Sequence, residues 1–113
     1  MGDYLAPLQE AFEANANAEN AGPMKKYMRG QFDYLGIKTP QRRALIKDFF
    51  AAYGPPPMDE LEELVQRLWA MTYREYQYTA IGFLDRRKRY LTAEMIPLLE
   101  QLITTKSWWD TVD

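Results

Sequence analysis

The sequence contains no cysteine and no histidine among its 113 residues. Without cysteine there is no disulfide framework and no thiolate chemistry, and without histidine the commonest general base is missing. Zinc sites of the usual nitrogen and sulfur type are excluded, and so are Cys–His and Ser–His catalysis. Any chemistry must therefore run on carboxylates, aromatic rings, hydroxyl groups, lysine or arginine.

Long apolar runs are missing as well. No run approaches the roughly 18 residues that a membrane-spanning helix needs. The stretch from Met1 to Leu8 includes Asp3 and lacks the basic start of a secretory signal, so we expect a soluble, cytoplasmic protein. The chain is nevertheless 47% hydrophobic and 14% aromatic, which is enough for one domain with a modest core.

The net charge of −2 conceals an alternation of charge along the chain. Residues 25–50 hold seven basic and two acidic side chains, and residues 71–91 hold five basic and two acidic ones, whereas the segments around them are acidic. Such a pattern allows a folded molecule to present one basic face, as nucleic-acid-binding proteins do. Ordinary solvated helix faces are the simpler interpretation of the same pattern.

Apolar residues recur at helical spacing throughout, and no strand or hairpin signal interrupts them. Six helix starts are predicted at Asp3, near Glu19, at Thr39 with Pro40 in the first helical position, at Asp59, near Tyr73 and at Thr92. The second helix is predicted to end near Gly30, and a short break at Met71-Thr72 is predicted between the fourth helix and the fifth. The core-facing residues predicted for helices four to six are Leu61, Leu64, Val65, Leu68, Tyr76, Ala80, Phe83, Leu84, Met95, Ile96, Leu99, Leu102 and Ile103. The short links predict an all-α fold in which helix two pairs with three and four with five. Both a HEAT-like α-solenoid and an irregular helical bundle fit this pattern.

A seventh helix is predicted to open at the end of the chain, where Ser107 and Asp110 form an S-x-x-D capping pattern. Only a few residues follow this cap, too few for a stable helix. We therefore expect residues 1–113 to be the N-terminal part of a single helical-repeat domain whose C-terminal half is absent.

Two basic segments are candidates for holding a phosphate. Lys38, Arg42, Arg43 and the Thr39 hydroxyl lie close to the predicted start of helix three, where backbone N–H groups and the helix dipole favour an anion. Arg86, Arg87, Lys88 and Arg89 form the densest basic run, at the end of helix five. An ordinary capped helix and a favourable helix terminus are the respective alternatives, and we prefer the latter for the run at residues 86–89.

Carboxylates and aromatic rings supply the remaining candidates. If Ser107 caps a helix, Trp109 and Asp113 share one of its faces, and an indole beside a carboxylate suits a cationic substrate or an oxocarbenium-like transition state. Tryptophan in the core with a solvated aspartate is the structural alternative. The acidic cluster at residues 59–63 is better explained as a solvated first turn than as a metal site.

Three passages together resemble the AlkD-type DNA alkylation repair enzymes. They are Lys26-Tyr27-Met28 through Phe32, then Leu35-Gly36-Ile37-Lys38-Thr39-Pro40-Gln41-Arg42-Arg43, then Thr105-Lys106-Ser107-Trp108-Trp109-Asp110-Thr111-Val112-Asp113. The resemblance covers the whole chain but only about half of a typical family member. It implies HEAT-like repeats that curve around duplex DNA, with no cofactor, metal or obligate protein partner.

The resemblance also implies an activity: hydrolysis of N3- and N7-alkylated purines from DNA without base flipping. Carried over residue by residue, Trp109 would contact the lesion nucleotide and Asp113 would stabilise the charge that develops on the deoxyribose. Tyr27 would line the same cleft, and Lys38, Thr39 and Arg43 would hold DNA phosphates. The alternative is a non-catalytic HEAT-like DNA- or protein-binding module. Because the second half is missing, we expect the 113-residue piece alone to be inactive.

Overall fold

The computed structural model describes residues 3–88 and 95–105, which fold almost entirely into helices. The helices are α1 (Ala6–Ala14), α2 (Ala18–Tyr27), α3 (Thr39–Tyr53), α4 (Leu61–Ala70), α5 (Arg74–Arg86) and α6 (Ile96–Thr104), with a 3-10 turn at Met58–Glu60 before α4. Within these ranges the only β-type pairing is one isolated bridge between Asp33 and Tyr73. The all-α class predicted from the sequence is confirmed, and the curvature of a HEAT-like solenoid stays a prediction. No helix in the described part of the chain is long and apolar enough to cross a membrane.

The chain divides into two compact units. The first contains the described residues up to Pro55 together with Thr72–Glu75, and its main helix contact joins α1 to α3. Leu8 and Phe12 are the buried residues of α1, and Phe49 is the buried residue of α3. The predicted pairing of the second helix with the third was therefore wrong as the main contact of this unit. α2 buries none of its residues, so it does not provide an apolar face for α3.

The second unit contains Pro56–Met71 and the described residues from Tyr76 onward. The apolar stripe predicted for α4 is confirmed, since Leu61, Leu64, Val65, Leu68 and Trp69 are all buried. The inward residues predicted for α5 are buried too. Gln77 joins these helices, because its Nε2 donates to the carbonyl oxygens of Leu68, Trp69 and Met71 at 3.3, 3.2 and 2.8 Å. The Gln77 amide thereby provides a hydrogen-bond donor for carbonyl groups at the C-terminal end of α4.

The predicted inner face of α6 was partly wrong. Ile96 is 50% exposed, whereas Leu98 is buried at 2% exposure. α6 begins at Ile96, with Pro97 in its first turn. Ile96 thus stands at the helix start instead of on its inner stripe. Thr92, the predicted cap, and the Ile103 side chain lie outside the described residues.

The helix starts differ from the sequence-based prediction by one or two residues. Lys38 is the N-cap of α3, with an extended backbone (φ −73°, ψ 158°) and a carbonyl that accepts from the Arg42 N–H at 2.9 Å. Thr39 is therefore the first helical residue, and its hydroxyl is not the cap. At α1 the N-cap is Leu5, and Asp3 Oδ1 accepts from the Leu5 N–H at 3.3 Å. Shifts of one or two residues reflect how gradually helices begin.

The end of α2 has an uncommon backbone. The Gly30 N–H donates to Lys25 O and the Arg29 N–H donates to Lys26 O, both at 2.9 Å, which is the hydrogen-bond pattern of a Schellman motif. Arg29 occupies the left-handed position of this motif with φ 56°, where glycine is the usual residue. The predicted stop near Gly30 is confirmed, although the strained residue is the one before it.

Candidate functional site

The turn before α3 is held by a carboxylate that the sequence analysis did not identify. Glu75 is fully buried, and its Oε1 accepts from the Leu35 N–H at 3.0 Å. Its Oε2 accepts from the N–H groups of Gly36 and Ile37 at 2.9 and 3.1 Å. Three successive backbone donors are thus satisfied by one side chain from about 40 residues further along the chain.

The opposite side of this turn contacts the start of α2. The Asn17 N–H donates to Leu35 O at 2.8 Å, and Asn20 Nδ2 donates to Gly36 O at 3.2 Å. The Asn17 side chain also caps α2 by accepting from the N–H groups of Glu19 and Asn20. Gly36 has φ 97° and lies against the Asn17 backbone, so the turn requires glycine for both conformation and space.

Arg74, the neighbour of Glu75, holds the segment before the turn. Its backbone N–H donates to Asp33 O at 2.8 Å, and its guanidinium carbon lies 3.7 Å from the centre of the Phe32 ring. Arg74 is fully buried, and this stacking on an aromatic face suits a desolvated guanidinium. The two adjacent residues Arg74 and Glu75 therefore fix the backbone from Asp33 to Ile37.

Three of the predicted phosphate-binding residues follow this turn directly. Lys38 is the N-cap of α3, Thr39 is its first residue, and Arg43 lies one turn further along; all three are exposed. Within the described residues, neither Lys38 nor Arg43 pairs with an acidic side chain. In the described part of the chain, therefore, no carboxylate neutralises these two charges, which stand at a helix end whose dipole favours anions.

Tyr27 is the fourth predicted residue in the described part of the chain. It is the last residue of α2 and is 72% exposed, an unusually large aromatic surface for a folded protein. Nearby in the chain, Lys25 forms an ion pair with Asp33 at 2.9 Å, with both side chains about half exposed. Tyr27 and Lys38 thus stand at the two ends of the segment that joins α2 to α3.

The basic run after α5 has a different structural setting. Arg87 Nε donates to Pro56 O at 2.8 Å, which gives this arginine a structural role. Lys88 is 74% exposed and lies 3.9 Å from Asp85, too far for a strong pair. Arg86 ends the helix, as the favourable-terminus interpretation predicts, and Arg89 lies outside the described residues.

The two residues predicted to act on the substrate, Trp109 and Asp113, lie outside the described residues. The last described residue before them is Thr105, whose carbonyl and hydroxyl oxygens accept from Trp69 Nε1 at 2.7 and 3.0 Å. Two hydrogen bonds from Trp69 of α4 therefore hold the residue that follows α6. No group of three or more potential metal ligands occurs in the part of the chain that the structure describes, including the acidic residues 59–63.

Polar burial in the first turns of α5 is the feature that sequence reasoning missed. Arg74, Glu75, Gln77 and Thr79 are all buried, although such residues usually face solvent. The sequence contains two weak signals of this contact. Arg74-Glu75 is a charged pair at a helix start, and Leu35-Gly36-Ile37 contains a glycine outside any predicted hairpin. Neither observation on its own shows that the two segments meet.

The fold and the exposed basic turn define an all-helical protein with a surface suited to anions. The sequence profile described as DNA alkylation repair enzyme matches residues 8–113, so the chain belongs to that family. A solved structure described as a predicted DNA alkylation repair enzyme from Enterococcus faecalis is similar, with 32% sequence identity and a TM-score of 0.75. The similarity covers 83% of this chain and 44% of that one, so this chain spans less than half of that protein's length. No curated protein matches this sequence.

Proposed function

We propose that this protein is a DNA glycosylase that hydrolyses the N-glycosidic bond of cationic N3- and N7-alkylated purines in duplex DNA, without flipping the base. The observation that carries the proposal furthest is the N-terminus of α3. Lys38 and Arg43 are exposed there without an acidic partner among the described residues, and Thr39, between them in the sequence, is exposed too. Membership of the DNA alkylation repair enzyme family makes a DNA phosphate the anion that suits this helix end.

The chemistry requires little from the protein, because an alkylated purine is already a cationic leaving group. The bond from C1′ to the base nitrogen breaks, and its electron pair leaves with the base, which becomes neutral. The positive charge passes to the deoxyribose, and water adds at C1′ and releases one proton. A carboxylate at Asp113 would stabilise that charge and position the water, and the Trp109 indole would contact the cationic base.

The contacts to the rest of the DNA supply position and affinity. Lys38, Thr39 and Arg43 would hold backbone phosphates, and the exposed ring of Tyr27 would line the cleft. No cofactor or metal is required by this scheme. The binding surface would be completed by a second half of the solenoid, since family resemblance gives a length about twice that of this chain.

The test is release of 7-methylguanine and 3-methyladenine from methylated duplex DNA by the protein in its full natural length. Asp113→Asn should lower the rate by on the order of a hundredfold while duplex binding persists, because a transition-state charge loses its partner. Asp85→Asn is the matched control, since that carboxylate is 76% exposed, and it should keep full activity. Tight DNA binding with no base release by the wild type would instead establish the non-catalytic binding module.

A further inference from the structure

Glu75 is a buried carboxylate that holds the turn before α3 through three hydrogen bonds. Three successive amides, those of Leu35, Gly36 and Ile37, converge on its two oxygens at 2.9 to 3.1 Å. Consecutive backbone N–H groups that point into one concavity form a nest, a structure that often binds external anions. In this chain the nest is filled from within by a side chain of α5.

The nest lies directly before the exposed basic residues. Ile37 is the last residue that Glu75 holds, and the next residue, Lys38, is the N-cap of α3. The same turn is fixed on its other side, because Asn17 donates to Leu35 O and Asn20 donates to Gly36 O. The backbone that leads into Lys38 and Thr39 is therefore held on one side by the buried Glu75 carboxylate and on the other by Asn17 and Asn20.

We propose that Glu75 is a positioning residue for DNA binding: it holds residues 35–37 so that Lys38 and Thr39 form a preorganised phosphate receptor. This inference rests on the proposed function, because it explains how the phosphate-binding helix end keeps its geometry. A loop that orders only when a ligand arrives loses affinity to the entropy of ordering. A turn fixed in advance at three amides avoids most of that loss.

The geometry requires two acceptor oxygens in this position. A glutamine has nearly the same shape but carries one oxygen and one amino group. In Glu75→Gln the amino group would face a backbone N–H of Leu35 or of the Gly36–Ile37 pair, so two donors would oppose each other. Glu75→Gln therefore disturbs the turn with little change in side-chain volume. It is the most informative single substitution for testing the role of the carboxylate.

The experiment measures the affinity of the full natural protein for a short undamaged DNA duplex over a series of salt concentrations. Four proteins are compared: wild type, Lys38→Ala, Glu75→Gln and the double variant. Lys38→Ala should weaken binding of the wild type about tenfold and lower the slope of log affinity against log salt by about 0.9, the value for one phosphate contact. Affinities are corrected for the folded fraction, measured by urea denaturation of each protein.

The diagnostic result is the effect of Lys38→Ala in the Glu75→Gln background. Glu75→Gln should itself weaken binding and reduce the salt slope, and Lys38→Ala should then cost less than about twofold, because the two residues act as one unit. If Lys38→Ala costs the same factor in both backgrounds, the inference is overturned and the proposed function stands. If Lys38→Ala has no effect in the wild type, the proposed phosphate contact fails, and the inference fails with it.

Gln77→Leu is the matched control for a purely structural effect. Gln77 is also buried, lies two residues further along α5 and makes three backbone hydrogen bonds, but these reach the end of α4. Gln77→Leu should lower stability and leave the affinity and salt slope of the folded protein unchanged. A loss of salt slope in Gln77→Leu equal to that in Glu75→Gln would overturn the specific role of Glu75.

Asn20→Ala is the second route to the same test if Glu75→Gln does not fold. It removes a partly buried hydrogen bond to Gly36 O at 3.2 Å and leaves the buried carboxylate in place. The cost of Lys38→Ala should fall at least about twofold in this background, because the receptor is then less rigid. Full additivity of the two substitutions would contradict the proposal.

Discussion

A β-carbon added to Gly36 would collide with the carbonyl oxygen of Asn17. The two backbones touch because the Asn17 N–H donates to Leu35 O, one residue before the glycine. Gly36 also has φ 97°, a conformation that side chains with a β-carbon rarely adopt. Steric contact and backbone conformation thus exclude every residue except glycine at this point of the turn.

Replacing this glycine should therefore destabilise the protein severely. We expect Gly36→Ala to cost about 3–5 kcal/mol of unfolding free energy, measured by urea denaturation, because strain and collision add. Gly22→Ala is the matched control: Gly22 lies inside α2, and an added β-carbon would meet nothing within 4 Å. That change should stabilise the protein by about 0.5–1 kcal/mol. Equal effects at the two sites would contradict the turn geometry.

Arg29 should be a site where glycine improves stability. Its φ of 56° places it in the left-handed region at the end of α2. Arg29→Gly should raise the unfolding free energy by about 0.5–1 kcal/mol, because relief of backbone strain exceeds the added freedom of the unfolded chain. Arg29→Ala separates the side chain from the backbone: it removes the same charge but keeps the strain. A stabilisation of equal size by alanine would show that the charge, and not the backbone, is responsible.

The indole hydrogen bond of Trp69 should contribute measurably to the second unit. Trp69→Phe keeps an aromatic ring in the core and removes the donor to the carbonyl and hydroxyl oxygens of Thr105. We expect a loss of about 1–2 kcal/mol in thermal or urea unfolding, because a partly buried carbonyl is left without its partner. Thr105→Val keeps the carbonyl acceptor and removes the hydroxyl, which accepts from Trp69 Nε1 and donates to Gln101 O at 2.6 Å. It should cost less than half as much, because the bond to Gln101 is exposed. A larger effect from Thr105→Val than from Trp69→Phe would show that the two bonds of the hydroxyl together contribute more than the indole donor.

Arg43 should contribute to DNA affinity through charge. It is exposed one turn into α3 and has no acidic partner among the described residues. Arg43→Ala should weaken duplex binding about tenfold, uniformly across DNA sequences, and lower the salt slope by about 0.9. Lys47→Ala, a turn further from the helix start, is the control and should change neither quantity appreciably. Identical losses for the two variants would indicate a diffuse basic surface instead of a defined contact.

The helical architecture was predictable because local patterns determine it. The stripe of α4 follows directly from residues three and four apart, and the break after Ala70 and the stop near Gly30 agree with the structure. The predicted inner face was wrong at the start of α6, where Ile96, beside Pro97, is exposed. The pairing of helices was harder to predict from the sequence. α2 buries none of its residues, and α3 contacts α1 instead.

The candidate site was predictable only in its exposed part. Lys38, Thr39 and Arg43 lie close together in the sequence at a recognisable helix start. Glu75 could not be found in the same way, since it acts on amides that are 38 to 40 residues away. A backbone N–H has no sequence signature, because every residue except proline would donate equally well at positions 35 and 37.

Because Glu75 accepts from backbone N–H groups, it limits which residues of the turn can change in evolution. The three hydrogen bonds from residues 35–37 to Glu75 use backbone N–H groups, so they place no requirement on the side chains of Leu35 and Ile37. Gly36 and Glu75 are not free, because the conformation of one creates the nest that the other fills. Among relatives, the glycine and the acid should therefore be inherited as a pair and lost as a pair, whatever apolar residues flank the glycine.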